Sequence, residues 1–200
     1  MANHRKNTPG LDTRRVKELI AAWPWARMIG LPLNRMISVR PFDVDDLTPI
    51  QRCELFASVR NKLGGYARSR RFPPTFVWAR EVRPDGIGEH MHILMHVPPR
   101  FSADFEETLI GWFPRPAEMH VQPADYRMQI TYGGRRHSAI AYICKQMTSQ
   151  AWYKRGLTRK SGGPIMGKRG GVSANLTAKA IAAQERAKDA APIAPVAMAA

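Results

Sequence analysis

The most regular pattern of apolar and polar residues in the chain is the alternation between Glu89 and Val97. Side chains alternate between the two faces of a β-strand, so this pattern predicts a strand with one apolar face. The apolar face has Met91, Ile93, Met95 and Val97, and the other face has His90, His92, Leu94 and His96. The pattern therefore predicts a strand that packs on one side and presents a row of imidazoles on the other.

A second β-rich segment, Thr75–Val82, precedes this strand, and residues 84–86 between the two are typical of a turn. The two segments are therefore predicted to form a β-hairpin. In such a hairpin either Glu81 or Glu89 lies near His90. Further strands are predicted at residues 36–40, 118–122 and 128–132.

Apolar residues at helical spacing predict helices in five other segments. These segments are residues 16–33, 50–63, 101–113, 135–153 and 173–189. Pro24 interrupts the first helix, and Gly64 and Gly65 end the second. The patterns divide the chain into an N-terminal arm with a short helix (1–34), a central domain (35–153), and a basic loop with a flexible Ala/Pro-rich tail (154–200).

The composition adds a strong positive charge. The 200 residues include 31 Lys and Arg against 16 Asp and Glu, which gives a formal net charge of +15. No acidic residue occurs between Tyr126 and Gln184. A long region of one sign attracts polyanions and indicates contact with nucleic acid. The residues assigned to this contact are Arg135, Arg136, Lys154, Arg155, Arg159, Lys160, Lys168 and Arg169.

Several other classes of protein do not fit the sequence. Cys53 and Cys144 have neither a disulfide framework nor a zinc-finger spacing. The chain lacks a signal-peptide pattern and an apolar run of the roughly twenty residues that a membrane span needs. The glycine-rich run 162–169 comes near a P-loop, but Arg169 replaces the hydroxyl that would bind magnesium, so we interpret it as a flexible basic loop. We therefore expect a soluble, cytoplasmic protein with no membrane partner.

Two segments carry candidate chemistry. His90 and His92 project side by side from the predicted strand and are spaced to bind one divalent cation, although a half-buried strand with a histidine-rich polar face would show the same pattern. On the predicted helix 135–153, Tyr142 and Lys145 lie three residues apart, opposite the apolar stripe. A phenol beside an ammonium suits a tyrosine nucleophile, and an exposed tyrosine that contacts a partner is the alternative.

These two motifs together resemble those of the HUH endonucleases. Residues 90–94, His-Met-His-Ile-Leu, look like the His-hydrophobic-His motif, and residues 142–145, Tyr-Ile-Cys-Lys, look like the Tyr-x-x-Lys motif. The resemblance covers about residues 35–150. Because the motif contains one tyrosine, it is similar to the single-tyrosine replication initiators of that superfamily.

The resemblance implies a fold and a set of site residues. The fold would be α+β, with a central antiparallel sheet of about four to five strands and helices packed mainly on one face. His90 and His92 would bind Mg²⁺ or Mn²⁺ with Glu81 as third ligand. Tyr142 would be the nucleophile and Lys145 its helper.

The function that the resemblance implies is nicking and joining of single-stranded or hairpin DNA through a 5′-phosphotyrosine, to initiate rolling-circle replication of a plasmid or phage. The chain has no helicase motor, so a host helicase would separate the strands. Two alternatives stay open. A single-tyrosine transposase or a relaxase would use the same chemistry, and a non-catalytic nucleic-acid-binding protein would explain the charge alone.

Overall fold

A computed structural model of the chain describes residues 6–112, 117–125, 127–132, 134–153, 157 and 159–189. Its strands are β1 (Asn7–Thr8), β2 (Arg35–Pro41), β3 (Phe76–Glu81), β4 (His90–Met95), β5 (Ala117–Pro123), β6 (Gln129–Tyr132), β7 (Arg135–Ser138), β8 (Ile165–Met166) and β9 (Gly170–Val172). Its α-helices are α1 (Thr13–Met28), α2 (Pro49–Ser69), α3 (Ser102–Ile110), α4 (Ala139–Ile143), α5 (Ser149–Tyr153) and α6 (Ala178–Asp189).

The centre of the fold is a five-stranded antiparallel sheet in the order β5-β2-β4-β3-β9. This arrangement confirms the predicted α+β class. The predicted hairpin is also confirmed, because β3 pairs with β4 and places Glu81 opposite His90. On the other side of β4, Ser38 of β2 lies opposite His92. The histidine strand is therefore the central strand, with a neighbour on each side.

Helices cover both faces of the sheet, so the expected packing mainly on one face needs correction. Met91, Ile93 and Met95 pack with buried residues of α2 and α3. Leu94 points to the other face and packs with buried residues of α1 and α4. The physical reason is that the second face is apolar away from the histidines, and apolar surface is stable only when another element removes it from water.

The N-terminal arm and the basic loop are more ordered than the sequence predicts. Asn7–Thr8 pairs with Ile165–Met166, and the side chain of Leu11 is buried. β9 forms an edge of the central sheet, although it lies outside the predicted central domain 35–153. β1 and β8 lie more than 150 residues apart in the chain, and β3 and β9 lie about 90 residues apart, so local patterns do not predict these pairings. Residues 1–5 and 190–200 lie outside the described residues.

Three helix boundaries differ from those predicted. α1 continues through Pro24, and α2 continues past Gly64 and Gly65 to Ser69. In both helices the later residues are buried in the core, which outweighs the local cost of proline (about 3 kcal/mol) or glycine (about 1 kcal/mol). The predicted helix 135–153 begins as β7 and is then divided between the short helices α4 and α5. None of the described helices combines the length and apolarity that crossing a membrane needs.

A buried ion pair supports the β3–β4 hairpin. Arg80 Nε donates to Glu89 Oε1 at 2.6 Å, and the two side chains are only 2% and 5% exposed. Removal of one partner leaves the other charge buried without compensation. We therefore expect Glu89→Ala to lower the free energy of unfolding by about 3–5 kcal/mol, measured by urea denaturation. The exposed Glu107 provides the control, and Glu107→Ala should change stability by about 0.5 kcal/mol or less. Equal effects of the two substitutions would contradict the role of the ion pair.

Candidate metal and tyrosine site

Three predicted metal ligands lie together at one end of the β3–β4 pair. Glu81 ends β3, and His90 and His92 lie on β4, with one donor atom from each residue within 4.8 Å of the others. The distance to Glu81 Oε2 is 3.4 Å from His90 Nε2 and 3.6 Å from His92 Nε2. For metal bonds of about 2.1 Å, neighbouring ligand atoms are roughly 3.0–3.4 Å apart. The three groups therefore fit one divalent cation with small adjustments.

Hydrogen bonds on the far side of each ring orient the two histidines. His90 Nδ1 lies 2.9 Å from the carbonyl of Gly88, and His92 Nδ1 lies 2.7 Å from Ser38 Oγ. Since a carbonyl only accepts, the proton of His90 is on Nδ1 and the lone pair is on Nε2. His92 Nε2 is buried and has no hydrogen-bond partner in the described part of the chain. A buried ring nitrogen without a partner, supported from its other side, is typical of a metal ligand.

The donor set bears on the choice of metal. Mg²⁺ prefers oxygen ligands, whereas imidazole nitrogen is a good ligand for transition metals. Two imidazoles and one carboxylate therefore suit Mn²⁺ better than Mg²⁺. The identity of the cation stays a prediction, and the donor set favours Mn²⁺ over Mg²⁺.

The second motif reaches the first through α4 and the turn that follows it. The ring of Tyr142 is 5.0 Å from the ring of His92, centroid to centroid. Lys145 Nζ is 3.4 Å from the centroid of the Tyr142 ring and lies 2.6 Å and 2.5 Å from the two carboxylate oxygens of Glu81. Glu81, His90, His92, Tyr142 and Lys145 therefore form one cluster, here called the His–Tyr site.

The pKa values of Glu81 and His92 favour the forms that bind a metal. Burial raises the pKa of Glu81, but its neighbours His90, His92 and Lys145 outweigh burial and hold the pKa well below its usual range. Burial lowers the pKa of His92 to about 4, and the nearby Glu81 carboxylate opposes this shift only in part. At neutral pH the carboxylate is therefore ionised and the imidazole is neutral, as metal coordination requires.

The pKa values of the motif pair, Tyr142 and Lys145, are shifted in opposite directions. Burial and the Glu81 charge raise the pKa of Tyr142 to about 12. Burial lowers the pKa of Lys145 to about 8, against the attraction of Glu81. Lys145 lies over the face of the tyrosine ring and bonds to Glu81, and the Tyr142 pKa is raised. The phenol of Tyr142 is therefore neutral at neutral pH.

Two residues that the sequence did not single out hold the site in place. The side chain of Gln146 accepts from Val82 N at 3.1 Å and donates to Val82 O at 2.8 Å, which ties the turn after α4 to the residue that follows Glu81. Ser38 bonds to His92 across the strand pair. Because side chains alternate along a strand, the sequence indicates that Ser38 lies on the other face of β2 from Ile37 and Val39. That Ser38 lies opposite His92 depends on the register of the β2–β4 pair, which the sequence does not give. Gln146 has no sequence signal of its own.

The remaining acidic and histidine candidates have structural roles. Glu89, the alternative to Glu81, pairs with Arg80. His96 Nδ1 lies 2.9 Å from the carbonyl of Pro32, and its ring packs edge-on against Phe72. Neither side chain belongs to the His–Tyr site.

The predicted nucleic-acid contacts divide into three groups. Arg135 and Arg136 are exposed on β7, and Arg159, Lys160 and Lys168 are exposed in the later loops. Arg169 is a correction: it is 2% exposed and donates to Gln146 Oε1 at 3.3 Å and to the carbonyl of Gly163. A guanidinium used for internal packing is not available to a phosphate. Lys154 and Arg155 lie outside the described residues.

No protein-family model, curated protein or solved structure matches this chain. The resemblance to the HUH endonucleases therefore depends on the two sequence motifs and on the geometry of the cluster that they form.

Metal binding tests the His–Tyr site directly. His92→Ala should abolish binding of Mn²⁺ in isothermal titration calorimetry, because it removes a buried ligand. Ser38→Ala should weaken binding by about 10- to 100-fold, since outer partners orient the ring. The control is His120→Ala, because His120 is exposed on β5 and lies outside the cluster. Equal Mn²⁺ affinity of His92→Ala and His120→Ala would contradict the site.

The buried neutral His92 also predicts a pH dependence of stability in the presence of EDTA. The unfolded chain binds a proton at this histidine below about pH 6.5, whereas the folded chain does so only below about pH 4. The free energy of unfolding should therefore fall between these values as the pH decreases, by on the order of 3 kcal/mol from this residue. His92→Gln should reduce the slope, measured by urea denaturation at several pH values. An unchanged slope would rule out a neutral, buried His92.

Proposed function

We propose that the protein is a metal-dependent endonuclease that nicks and rejoins single-stranded DNA, with Tyr142 as nucleophile, in the manner of the HUH endonucleases. Its role would be to initiate rolling-circle replication of a plasmid or phage. The observation that supports this most is the convergence of two motifs some fifty residues apart. The Tyr142 ring contacts His92, and Lys145 bonds to Glu81, so the proposed nucleophile and the proposed metal ligands share one cluster.

The proposed reaction exchanges one phosphate ester for another. Tyr142 Oη attacks the scissile phosphorus, the new O–P bond forms, and the bond from phosphorus to the 3′ oxygen breaks. The phenol loses its proton and the leaving 3′ oxygen gains one, so that a 5′-phosphotyrosine and a free 3′ hydroxyl result. A divalent cation held by Glu81, His90 and His92 would polarise the scissile phosphate. Attack of a 3′ hydroxyl on the phosphotyrosine reverses the steps and joins the strand.

Lys145 is suited to two roles in this reaction. Its ammonium holds Glu81 and lies over the Tyr142 ring, so it fixes the distance between the carboxylate and the phenol. A cation beside the reacting groups also stabilises negative charge that develops on the phosphate oxygens. Because the raised pKa of Tyr142 keeps the phenol neutral before substrate binds, this proton must leave during the attack.

The surroundings of the site suit a single strand. The hairpin of β6 and β7 carries the exposed Arg135 and Arg136 directly before α4. The backbone N–H of Lys160 donates to the carbonyl of Lys145 at 2.7 Å, which brings a further exposed cation near the cluster. Trp152 and Tyr153 on α5 are exposed. Cations with exposed aromatic rings are the usual means of holding a strand through its phosphates and bases.

Formation of a covalent adduct tests the proposed function. With Mn²⁺ and single-stranded DNA, the wild-type protein should form an adduct that is stable in denaturing gels and linked through a 5′ phosphate. Tyr142→Phe should abolish the adduct, because it removes only the attacking oxygen. The control is Tyr153→Phe, which removes an exposed hydroxyl from the neighbouring α5 and should leave the adduct unchanged.

Two further measurements test the roles of the metal and of Lys145 in the reaction. Chelation with EDTA should prevent the adduct, and Lys145→Gln should slow its formation without loss of DNA binding. An adduct that persists in Tyr142→Phe would disprove the assignment of the nucleophile. DNA binding without any adduct in the wild-type protein would favour a non-catalytic nucleic-acid-binding protein.

A further inference from the structure

A cavity lies on the face of the sheet opposite the His–Tyr site. Its volume is about 450 Å³, and α2, the start of β3 and the residues after β9 line it. Trp78 in its wall belongs to the core beside α2, whereas its neighbours Val77 and Ala79 face α1. We call this cavity the α2–β9 groove and define it by Arg60, Asn61, Arg68, Pro74, Ser173 and Asn175.

The groove contains two guanidinium groups and no carboxylate among its described lining residues. Two contacts hold the Arg60 side chain. Its Nε donates to the carbonyl of Phe56 at 3.3 Å, and its Cζ lies 4.2 Å from the centroid of the Trp78 ring. Arg68 is exposed and folds back over Gly64, where a Cβ would lie 3.1 Å from Nη1. Gly64 thus leaves room for this guanidinium beside the groove. In the described part of the chain neither arginine has a carboxylate partner.

The opposite rim of the groove is fixed by a chain of hydrogen bonds. Phe76 N donates to Ser173 Oγ at 3.0 Å, Ser173 Oγ donates to Asn175 Oδ1 at 2.8 Å, and Asn175 Nδ2 donates to Thr75 Oγ1 at 2.7 Å. This chain holds the residues after β9 against the start of β3. The amide of Asn175 therefore has a set position, and it faces the groove with the exposed amide of Asn61. Amides are suited to the edges of bases.

We propose that the α2–β9 groove binds a nucleotide, with its phosphate on Arg60 and Arg68 and its sugar or base against Pro73 and Pro74. The cavity has the size of ordinary small-molecule sites, about 300–1,000 Å³, and combines an apolar wall with few polar groups. Uncompensated guanidiniums favour a phosphate. The apolar wall favours a nucleotide over a bare anion. The nucleotide is either free or part of a single strand, and the inference stands independently of the proposed nicking activity.

The test measures binding to the full chain in EDTA, so that the His–Tyr site holds no metal. The probes are a fluorescent oligothymidylate, thymidine 5′-monophosphate and inorganic phosphate. Arg68→Gln removes one groove cation, and Asn61→Asp adds a carboxylate of the same shape as the amide. Lys17→Gln is the control, because Lys17 is exposed on α1, away from the groove. Circular dichroism establishes that each variant is folded.

If a strand occupies the groove, Arg68→Gln and Asn61→Asp should weaken oligothymidylate binding relative to Lys17→Gln. Arg68→Gln should also reduce the slope of log affinity against log salt by about 0.7, as expected for one lost phosphate contact on a single strand. If the groove takes a free nucleotide, the same two variants should lose binding of thymidine monophosphate instead. Oligothymidylate and nucleotide affinities equal to those of Lys17→Gln would overturn the proposal. Competition by inorganic phosphate as strong as that by the nucleotide would also overturn it, because it would mean an anion site only.

Discussion

The buried ion pair between Glu81 and Lys145 joins the end of β3 to the turn after α4, and the His–Tyr site depends on it. Both side chains are at most 3% exposed, so each charge has lost its hydration and is stable only beside the other. The pair fixes the carboxylate beside the two histidines and the ammonium over the tyrosine ring. Gln146 reinforces this link through both polar groups of the Val82 backbone. Contacts between distant segments thus bring the two motifs together, with the buried ion pair at their centre.

The same region contains other buried charges, and their arrangement follows the same rule. Arg80 pairs with Glu89 beneath the hairpin, and Arg169 donates to Gln146 and to a backbone carbonyl. These side chains have partners that repay part of the hydration lost on burial. His92 Nε2 is one of several buried polar atoms of the described residues that have no hydrogen-bond partner, and it is directed at Glu81. Because Glu81 and His90 lie beside this nitrogen, a metal ion is the partner that the proposed function assigns to it.

The two faces of the sheet carry different features. One face carries the His–Tyr site, where Tyr142 packs against the core formed by residues of α1 and α4. The other packs α2 and α3 on the apolar residues of β4 and leaves the α2–β9 groove at its edge. The positive charge is not spread evenly over the surface, because some arginines are buried and bond to other groups of the chain, whereas others are exposed. Charge counted along the sequence therefore overstates the surface available to nucleic acid, as Arg169 illustrates.

Alternation along 89–97 and the turn before it determined the hairpin and its histidine face, because these depend on strand period and short-range pairing. They left open whether Glu81 or Glu89 lies beside His90. The spacing of Tyr142 and Lys145 likewise identified a pair on one side of a helical turn. Only the tertiary structure decided that this pair meets the histidines, that Lys145 bonds to Glu81, that Ser38 and Gln146 support the site, and that Arg169 is buried. These facts depend on contacts between segments tens of residues apart, and a local pattern carries no information about which distant segment it will meet. The order in the N-terminal arm and β9 has the same origin.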